Sequence, residues 1–149
     1  MDSSAKEFEP LFKGLNYSFD KNLKKILYKK LIVNCLLNGM TAIHNVKNGV
    51  LLNPKYMPTL NEILNECLDA LKSKGYGFSK SEVMELVTKV LTESGDNISS
   101  TLSDVRNKRK TEIEYINGVI VELGKQQGIK TPKNNYILKE VLNLEIYKF

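Results

Sequence analysis

The chain has 149 residues, with 22 basic and 17 acidic side chains and a formal net charge of +5. This length fits one domain of ordinary size, and a hydrophobic content of 42% argues against disorder. Two cysteines are too few for a disulfide scaffold. No apolar run approaches the roughly 18–20 residues that span a bilayer, and the polar N-terminus lacks the apolar core of a signal peptide. A cytoplasmic location without membrane contact is therefore expected.

The first part of the chain is dominated by one long predicted helix. Residues 1–19 show no clear period and are interpreted as a lead-in or linker remnant, and Asp20 suits an N-cap. The pattern is helical over 21–43, and its centre is apolar on most sides, which predicts a helix buried along most of its circumference. The turn-forming pair Asn48-Gly49 and the prolines that follow predict an irregular connection.

The rest of the chain shows helical periodicity throughout. Apolar residues at i, i+3, i+4 and i+7 predict an amphipathic helix from about Thr59 to a stop at Gly75. Ser79 and Glu82 have the spacing of a capping box, which predicts a helix to about Thr92. Further helices are predicted over 99–108, 111–127 and 132–144, with Gly128 at a helix end. No segment alternates strictly between apolar and polar residues, so the fold class is all-α, with about six helices.

A row of polar residues crosses the apolar stretch of the first helix. Lys30, Asn34 and Asn38 are four residues apart, which places them on one stripe. A buried amide needs partners, because an unpaired polar group costs about 1–3 kcal/mol. Desolvation favours the neutral form of a lysine, so such a row can bind an oxyanion and supply a proton. The alternative is that Lys30 extends to solvent while the asparagines hold loop backbone.

Two further polar clusters follow in the second half of the chain. Asn97, Ser99 and Ser100 are short hydrogen-bonding residues at a predicted helix start, which favours either an anion site or a plain N-cap. The run 106–110 has four cations in five residues, a pattern that suits phosphate contacts or a solvated helix face. The aromatic residues are scattered, so nucleic-acid binding is only weakly indicated. With His44 as the single histidine, we expect no metal site.

These residues belong to a longer pattern that resembles the ketopantoate reductase (2-dehydropantoate 2-reductase) family. The segment from Lys30 to Ile43 is similar to the family's K-L-x-x-N-x-x-x-N-P-L-T-A, and Asn48-Gly49 stands where the family has N-G. Residues 97–106 are similar to the family's S-S-M-L-Q-D-x-R. Residues 109–118 are similar to its R-x-T-E-I-D-Y-I-N-G, and residues 128–134 to its G-I-x-T-P-x-N. The resemblance covers only the C-terminal half of the family.

The resemblance implies a fold and a reaction. The fold is an all-helical domain over 20–149, like the C-terminal domain of the 6-phosphogluconate dehydrogenase-like superfamily. The reaction is NADPH-dependent reduction of a small 2-keto acid, 2-dehydropantoate, to pantoate in pantothenate biosynthesis. Lys30 would be the catalytic general acid, and Glu112 would accept hydrogen bonds from the cofactor. The implied substrate-binding residues are Asn34, Asn38, Asn48, Asn97, Ser99 and Ser100.

Family members join this helical domain to a Rossmann domain that holds NADPH. The sequence has no G-x-G-x-x-G turn, which such a domain requires. We therefore expect a split, truncated or separately expressed domain that is inactive without a Rossmann-domain partner, and that forms a homodimer. The alternative is a non-catalytic helical dimerisation or interaction module. Gly39 replaces the family's usual proline, a departure expected to loosen the end of the first helix.

Overall fold

The computed structural model describes the backbone of residues 21–146 and the side chains of residues 23–146. The predicted lead-in at 1–19 and the N-cap at Asp20 lie outside these residues. Between residues 21 and 146 there are six α-helices and no strand, which confirms the all-α prediction. The helices are α1 (Lys21–His44), α2 (Met57–Lys72), α3 (Lys80–Glu93), α4 (Ser100–Arg106), α5 (Asn117–Gln127) and α6 (Pro132–Ile146). Short 3-10 turns lie at Asn48–Leu52, Pro54–Tyr56 and Ile113–Tyr115.

Helix α1 is the centre of the fold. It contacts α2, α3, α4 and α6, and its buried side chains point in every direction around the helix axis. Among them, Ile32, Cys35 and Leu36 are fully buried. This confirms that the helix is enclosed along its apolar stretch. The first two turns are different, since Leu23, Ile26 and Leu27 are 42%, 60% and 55% exposed.

The apolar character of α1 also bears on the membrane prediction. Within the described residues, Leu23–His44 is long and apolar enough to cross a membrane, by length and composition alone. The prediction that no segment approaches such a length was therefore wrong for this helix. More than half of its most apolar window is buried inside the fold, and the core helix of a folded domain passes the same test.

The amphipathic helix α2 follows the predicted pattern, but the start of α3 does not. Ser79 is the N-cap of α3, yet its side chain caps no backbone N–H and lies 2.8 Å from the Ser81 hydroxyl instead. The Glu82 carboxylate pairs with Lys29 of α1, which lowers the pKa of Glu82 below its usual value. The predicted capping box is thus wrong, because a residue distant in sequence takes the carboxylate.

The predicted helix over 111–127 is also divided. Ile116 has φ −109° and ψ −96°, outside the helical region, so a 3-10 turn precedes α5. The backbone N–H of Thr111 donates to the Glu145 carboxylate at 2.9 Å, which fixes the chain before the break. Apolar spacing at Ile113, Ile116 and Ile120 suits one helix or two short ones, so the periodicity did not show the division. Helix α4 likewise ends at Arg106, two residues before the predicted end.

A buried amide network joins four of the helices. The Asn117 amide nitrogen donates to the Cys35 carbonyl at 3.1 Å and to Asn134 Oδ1 at 3.0 Å. Asn134 donates from Nδ2 to the Glu66 carboxylate at 2.7 Å. That carboxylate also accepts the backbone N–H groups of Lys133 and Asn134 at 2.8 and 2.9 Å. A negative charge at these free N–H groups stabilises the start of α6.

Gly39 lies inside α1, five residues before its last residue, and the expectation that it loosens the helix end is wrong. A Cβ atom at this position would overlap the Cγ2 methyl of Ile137, which is only 1% exposed. Glycine is therefore the residue that allows α1 and α6 to approach closely.

We expect Gly39→Ala to lower the free energy of unfolding by about 1–3 kcal/mol, the usual cost of overpacking a core. Chemical denaturation would measure this change. Gly77→Ala is the matched control, because nothing lies within 4 Å of its added methyl group; it should be neutral or slightly stabilising. Equal stability of the two variants would contradict the close approach of α1 and α6.

Candidate functional site

The candidate site forms where the C-terminal half of α1 meets the start of α4. Asn38 is 7% exposed, and its Nδ2 donates to the Ser100 hydroxyl at 3.4 Å. Thr41 donates to the Ser99 hydroxyl at 2.7 Å and to the Asn38 carbonyl at 3.0 Å. Ser99 accepts the Leu102 N–H at 3.1 Å and is the N-cap of α4. The structure thus brings three of the predicted residues, Asn38, Ser99 and Ser100, into one hydrogen-bonded cluster.

Asn48 and Asn97 are joined beside this cluster. The Asn48 backbone N–H donates to the Asn97 carbonyl at 2.9 Å, which ties the turn after α1 to the segment before α4. The Asn48 side chain is 7% exposed, and its Nδ2 donates to the Ser94 hydroxyl at 3.0 Å. Its Oδ1 is buried without a hydrogen-bond partner among the described residues. Leaving a buried acceptor unpaired is costly, and a donor from outside the chain reaches this oxygen only when the Asn48 side chain turns outward.

Lys30 and Asn34 lie further along the same stripe, towards the exposed turns of α1. Asn34 is half-buried and Lys30 is exposed, and neither side chain makes a hydrogen bond within residues 23–146. Lys30 and Asn38 are eight positions apart, which is about 12 Å along the helix. The exposure of Lys30 agrees with the alternative in which this lysine extends to solvent, because its face of α1 is not covered by the other described helices. The polar stripe runs from solvent into the interior.

Glu112 stands apart from the other predicted residues. It precedes the 3-10 turn, its side chain is exposed, and that side chain makes no hydrogen bond with any of them in the described structure. Its neighbour Ile113 is fully buried and packs close to Gly39 of α1. The turn that carries Glu112 is therefore anchored next to Gly39. The Glu112 carboxylate itself remains free to accept hydrogen bonds.

The basic run 106–110 is mostly engaged within the chain. Arg106 donates to the Asn45 side-chain oxygen at 2.9 and 3.1 Å. Arg109 pairs with Asp104 at 3.0 Å, and Lys110 pairs with Glu114 at 3.3 Å. These contacts favour the interpretation of the run as a solvated surface. No group of three or more His, Cys, Asp or Glu side chains that could hold a metal ion occurs within the part of the chain that is described.

Sequence reasoning missed two residues that position the site. Thr41, fully buried, joins α1 to Ser99, and its position three residues after Asn38 in the motif was the available signal. Ser94 orients the Asn48 amide and donates to the Val90 carbonyl at 2.6 Å. Its role depends on a contact across 46 residues, for which the local pattern contains no signal.

Comparison with known proteins identifies the class of protein to which this site belongs. Residues 22–145 match the family model described as "Ketopantoate reductase PanE/ApbA C terminal". The chain is 33% identical over 128 residues to a 2-dehydropantoate 2-reductase from Vibrio cholerae, covering 86% of this chain and 43% of that protein. The chain belongs to the ketopantoate reductase family and corresponds to its C-terminal domain. It spans less than half the length of the curated relatives it matches.

Solved structures agree with the helical fold. The chain is 27% identical to D-mandelate dehydrogenase in a ternary structure with NADH and anilino(oxo)acetate, with a TM-score of 0.86 over 99% of this chain and 83% of that chain. It is 18% identical to a dimeric ketopantoate reductase from Staphylococcus aureus, with a TM-score of 0.78 over 100% of this chain and 53% of that chain. The latter likeness shows the fold alone.

The cap at the start of α4 should carry measurable stability. Ser99→Ala removes the hydroxyl that accepts the Leu102 N–H, and we expect a loss of about 0.5–2 kcal/mol in unfolding free energy. Ser79→Ala is the control, because Ser79 occupies the same cap position on α3 without a capping bond, and should change stability little. Thermal or chemical denaturation compares the two; an equal loss from both would contradict the cap at Ser99.

Proposed function

We propose that this chain is the substrate-binding and proton-donor domain of an NADPH-dependent ketopantoate reductase. The reaction is reduction of 2-dehydropantoate to pantoate, a step of pantothenate biosynthesis. The observation that carries the proposal is the cluster of Asn38, Ser99 and Ser100 beside the unpartnered, buried Oδ1 of Asn48. Lys30 stands at the solvent end of the stripe that leads to this cluster.

The substrate has groups that match these side chains. The hydroxyl of Ser100 and the amides of Asn34 and Asn38 can donate to the carboxylate and carbonyl oxygens of a 2-keto acid. When the Asn48 side chain turns towards the substrate, its Oδ1 accepts from the substrate hydroxyl, which satisfies an acceptor that is otherwise unpaired. Asn97 and Ser99 position the site. The Asn97 carbonyl holds the Asn48 backbone, and the Ser99 hydroxyl caps the start of α4.

Lys30 supplies the proton of the reaction. NADPH, when bound, provides the hydride that reaches the ketone carbon. The Lys30 ammonium hydrogen-bonds the ketone oxygen, stabilises the negative charge that develops there, and transfers its proton to form the alcohol. The C=O double bond becomes a C–O single bond, with one hydride and one proton added. Lys30 is left neutral and is reprotonated from solvent.

Glu112 is the residue of this chain suited to contact the cofactor. Its carboxylate is exposed, makes no hydrogen bond within the described residues, and sits on a turn held by the buried Ile113. Such a group can accept hydrogen bonds from cofactor hydroxyl or amide groups. These residues fit a contact at the edge of the cofactor, and most of its binding surface belongs to a dinucleotide-binding partner domain.

The partner and the location follow from the same proposal. The exposed Leu23, Ile26 and Leu27 lie one to two turns before Lys30 on α1, and docking of the dinucleotide-binding domain would cover them. Leu23, Leu27, Lys30 and Asn34 are spaced as one helical stripe, so a covering domain would also enclose the proton donor. The chain forms a homodimer and works in the cytoplasm, on a soluble small-molecule substrate.

The proposal predicts activity that depends on Lys30. This chain is mixed with a separately expressed dinucleotide-binding half of the Vibrio cholerae relative, and NADPH oxidation is followed with 2-dehydropantoate. We expect turnover on mixing and none from this chain alone. Lys30→Met should lower turnover by about 10²–10⁴-fold, the usual contribution of a general acid, while circular dichroism remains unchanged.

Lys25→Met is the matched control. It removes the same charge from the same helix at an exposed position, and it should leave turnover unchanged. Pantoate binding to this chain, measured by calorimetry, gives an independent readout that should be weakened by Asn48→Ala. Absence of turnover on mixing together with absence of pantoate binding would contradict the proposed function.

A non-catalytic interaction module is the second candidate. The specific observation in its favour is the exposed apolar surface of Leu23, Ile26 and Leu27, since contiguous apolar surface often marks a contact with another protein. This candidate predicts that Ile26→Ser weakens association of the chain while Lys30→Met has no functional effect. Analytical ultracentrifugation measures the association of Ile26→Ser, and the mixing assay on Lys30→Met separates the two candidates, because only the enzymatic role predicts lost turnover.

A further inference from the structure

A cavity lies on the face of α1 opposite the candidate site. Its volume is about 510 Å³, and its walls come from α1, α2, α6 and the 3-10 turn Pro54–Tyr56. Met40 and His44, which line it, follow Asn38 by two and six residues. At about 100° per residue they point about 200° and 240° away from Asn38 around the helix. The cavity is therefore separate from the Asn38 cluster and has no part in the reaction proposed above.

Cationic and aromatic groups share the wall of this cavity. The Lys55 ammonium lies 4.8 Å from the centre of the Tyr56 ring, and His44 packs edge-on against the same ring, with 5.1 Å between ring centres. Lys133 and Tyr136 close the opposite side from α6. The two lysines and His44 supply hydrogen-bond donors that suit an anion, whereas the aromatic rings supply apolar surface for the rest of a ligand.

The acidic side chains near the cavity do not prevent anion binding. Glu62 pairs with Lys133 at 2.9 Å, but the two side chains are 52% and 41% exposed. An exposed pair of this kind contributes little stability, so an incoming anion can replace it. Glu66 is committed elsewhere, since it accepts the N–H groups at the start of α6 and the Asn134 amide. The pairing with Glu62 raises the pKa of Lys133.

We propose that this cavity binds a small anionic molecule with an apolar body, that is, a phosphate or carboxylate attached to an aromatic or branched apolar group. The anion would lie between Lys55 and Lys133, and the apolar part would pack on Tyr56, Tyr136 and Ile137. The volume falls in the range of about 300–1,000 Å³ that is typical of small-molecule sites. The proposal is independent of the substrate site, because none of these residues belongs to it.

Calorimetry with the 149-residue chain tests this site with phenyl phosphate and benzoate as probes. We expect one bound molecule of at least one probe, and the comparison of the two tells a phosphate ligand from a carboxylate ligand. Inorganic phosphate and phenol should each bind at least about tenfold more weakly than the combined probe, since each lacks half of the interactions. No binding of either probe at millimolar concentration, or equal binding of inorganic phosphate, would overturn the proposal.

Charge variants locate the bound anion. Lys55→Met and Lys133→Met should each weaken binding about tenfold, and Glu62→Gln should tighten it several-fold by releasing Lys133. Lys139→Met is the matched control, because it removes a charge from an exposed position on α6 that does not line the cavity. Probe-induced NMR shifts should occur at His44 and Tyr56. Shifts confined to Asn38 and Ser100, or unchanged binding by Lys133→Met, would contradict the assignment.

Discussion

The enclosure of α1 by other helices is the constraint on which the rest of the structure depends. A helix that is apolar on all sides cannot rest on one surface, so α2, α3, α4 and α6 all pack against it. At Gly39 the approach of α6 is so close that no side chain fits. The remaining helix, α5, packs mainly against α2 and α6.

A central helix of this kind restricts where polar groups can be placed. Any polar atom that reaches the buried surface of α1 must be met by another element, since water is excluded. Asn117 meets the Cys35 carbonyl on one side. The start of α4 meets the Asn38 amide through Ser100 and the Asn38 carbonyl through Ser99. The hydrogen bonds that satisfy the core therefore also assemble the candidate site.

Helical periodicity and motif residues predicted most of this fold, and the errors have a common physical cause. The stripe of α2 and the left-handed Gly128 that ends α5 depend on local sequence, so the pattern was sufficient. The capping box predicted at Ser79 does not form, because Glu82 pairs with Lys29, 53 residues away. The Ser99 hydroxyl does accept the Leu102 N–H, because α4 starts against α1 and Thr41 of α1 holds the serine in place. Local patterns do not reveal which partner is brought near by the fold.

Whether Lys30 is buried or exposed could not be predicted from the local sequence for the same reason. Its exposure bears directly on the proposed chemistry. A proton donor works best where water is excluded, yet Lys30 is exposed while Asn38, two turns later, is buried. The enclosing helices surround only the later turns of α1, so in the proposed reaction the substrate-binding residues would be dry and the proton donor would be hydrated. Ile26 and Leu27 lie on the same side of α1, one turn before Lys30, and are equally uncovered. A surface that buried these two apolar side chains would desolvate the lysine in the same step, so that domain docking and activation of the acid become one event.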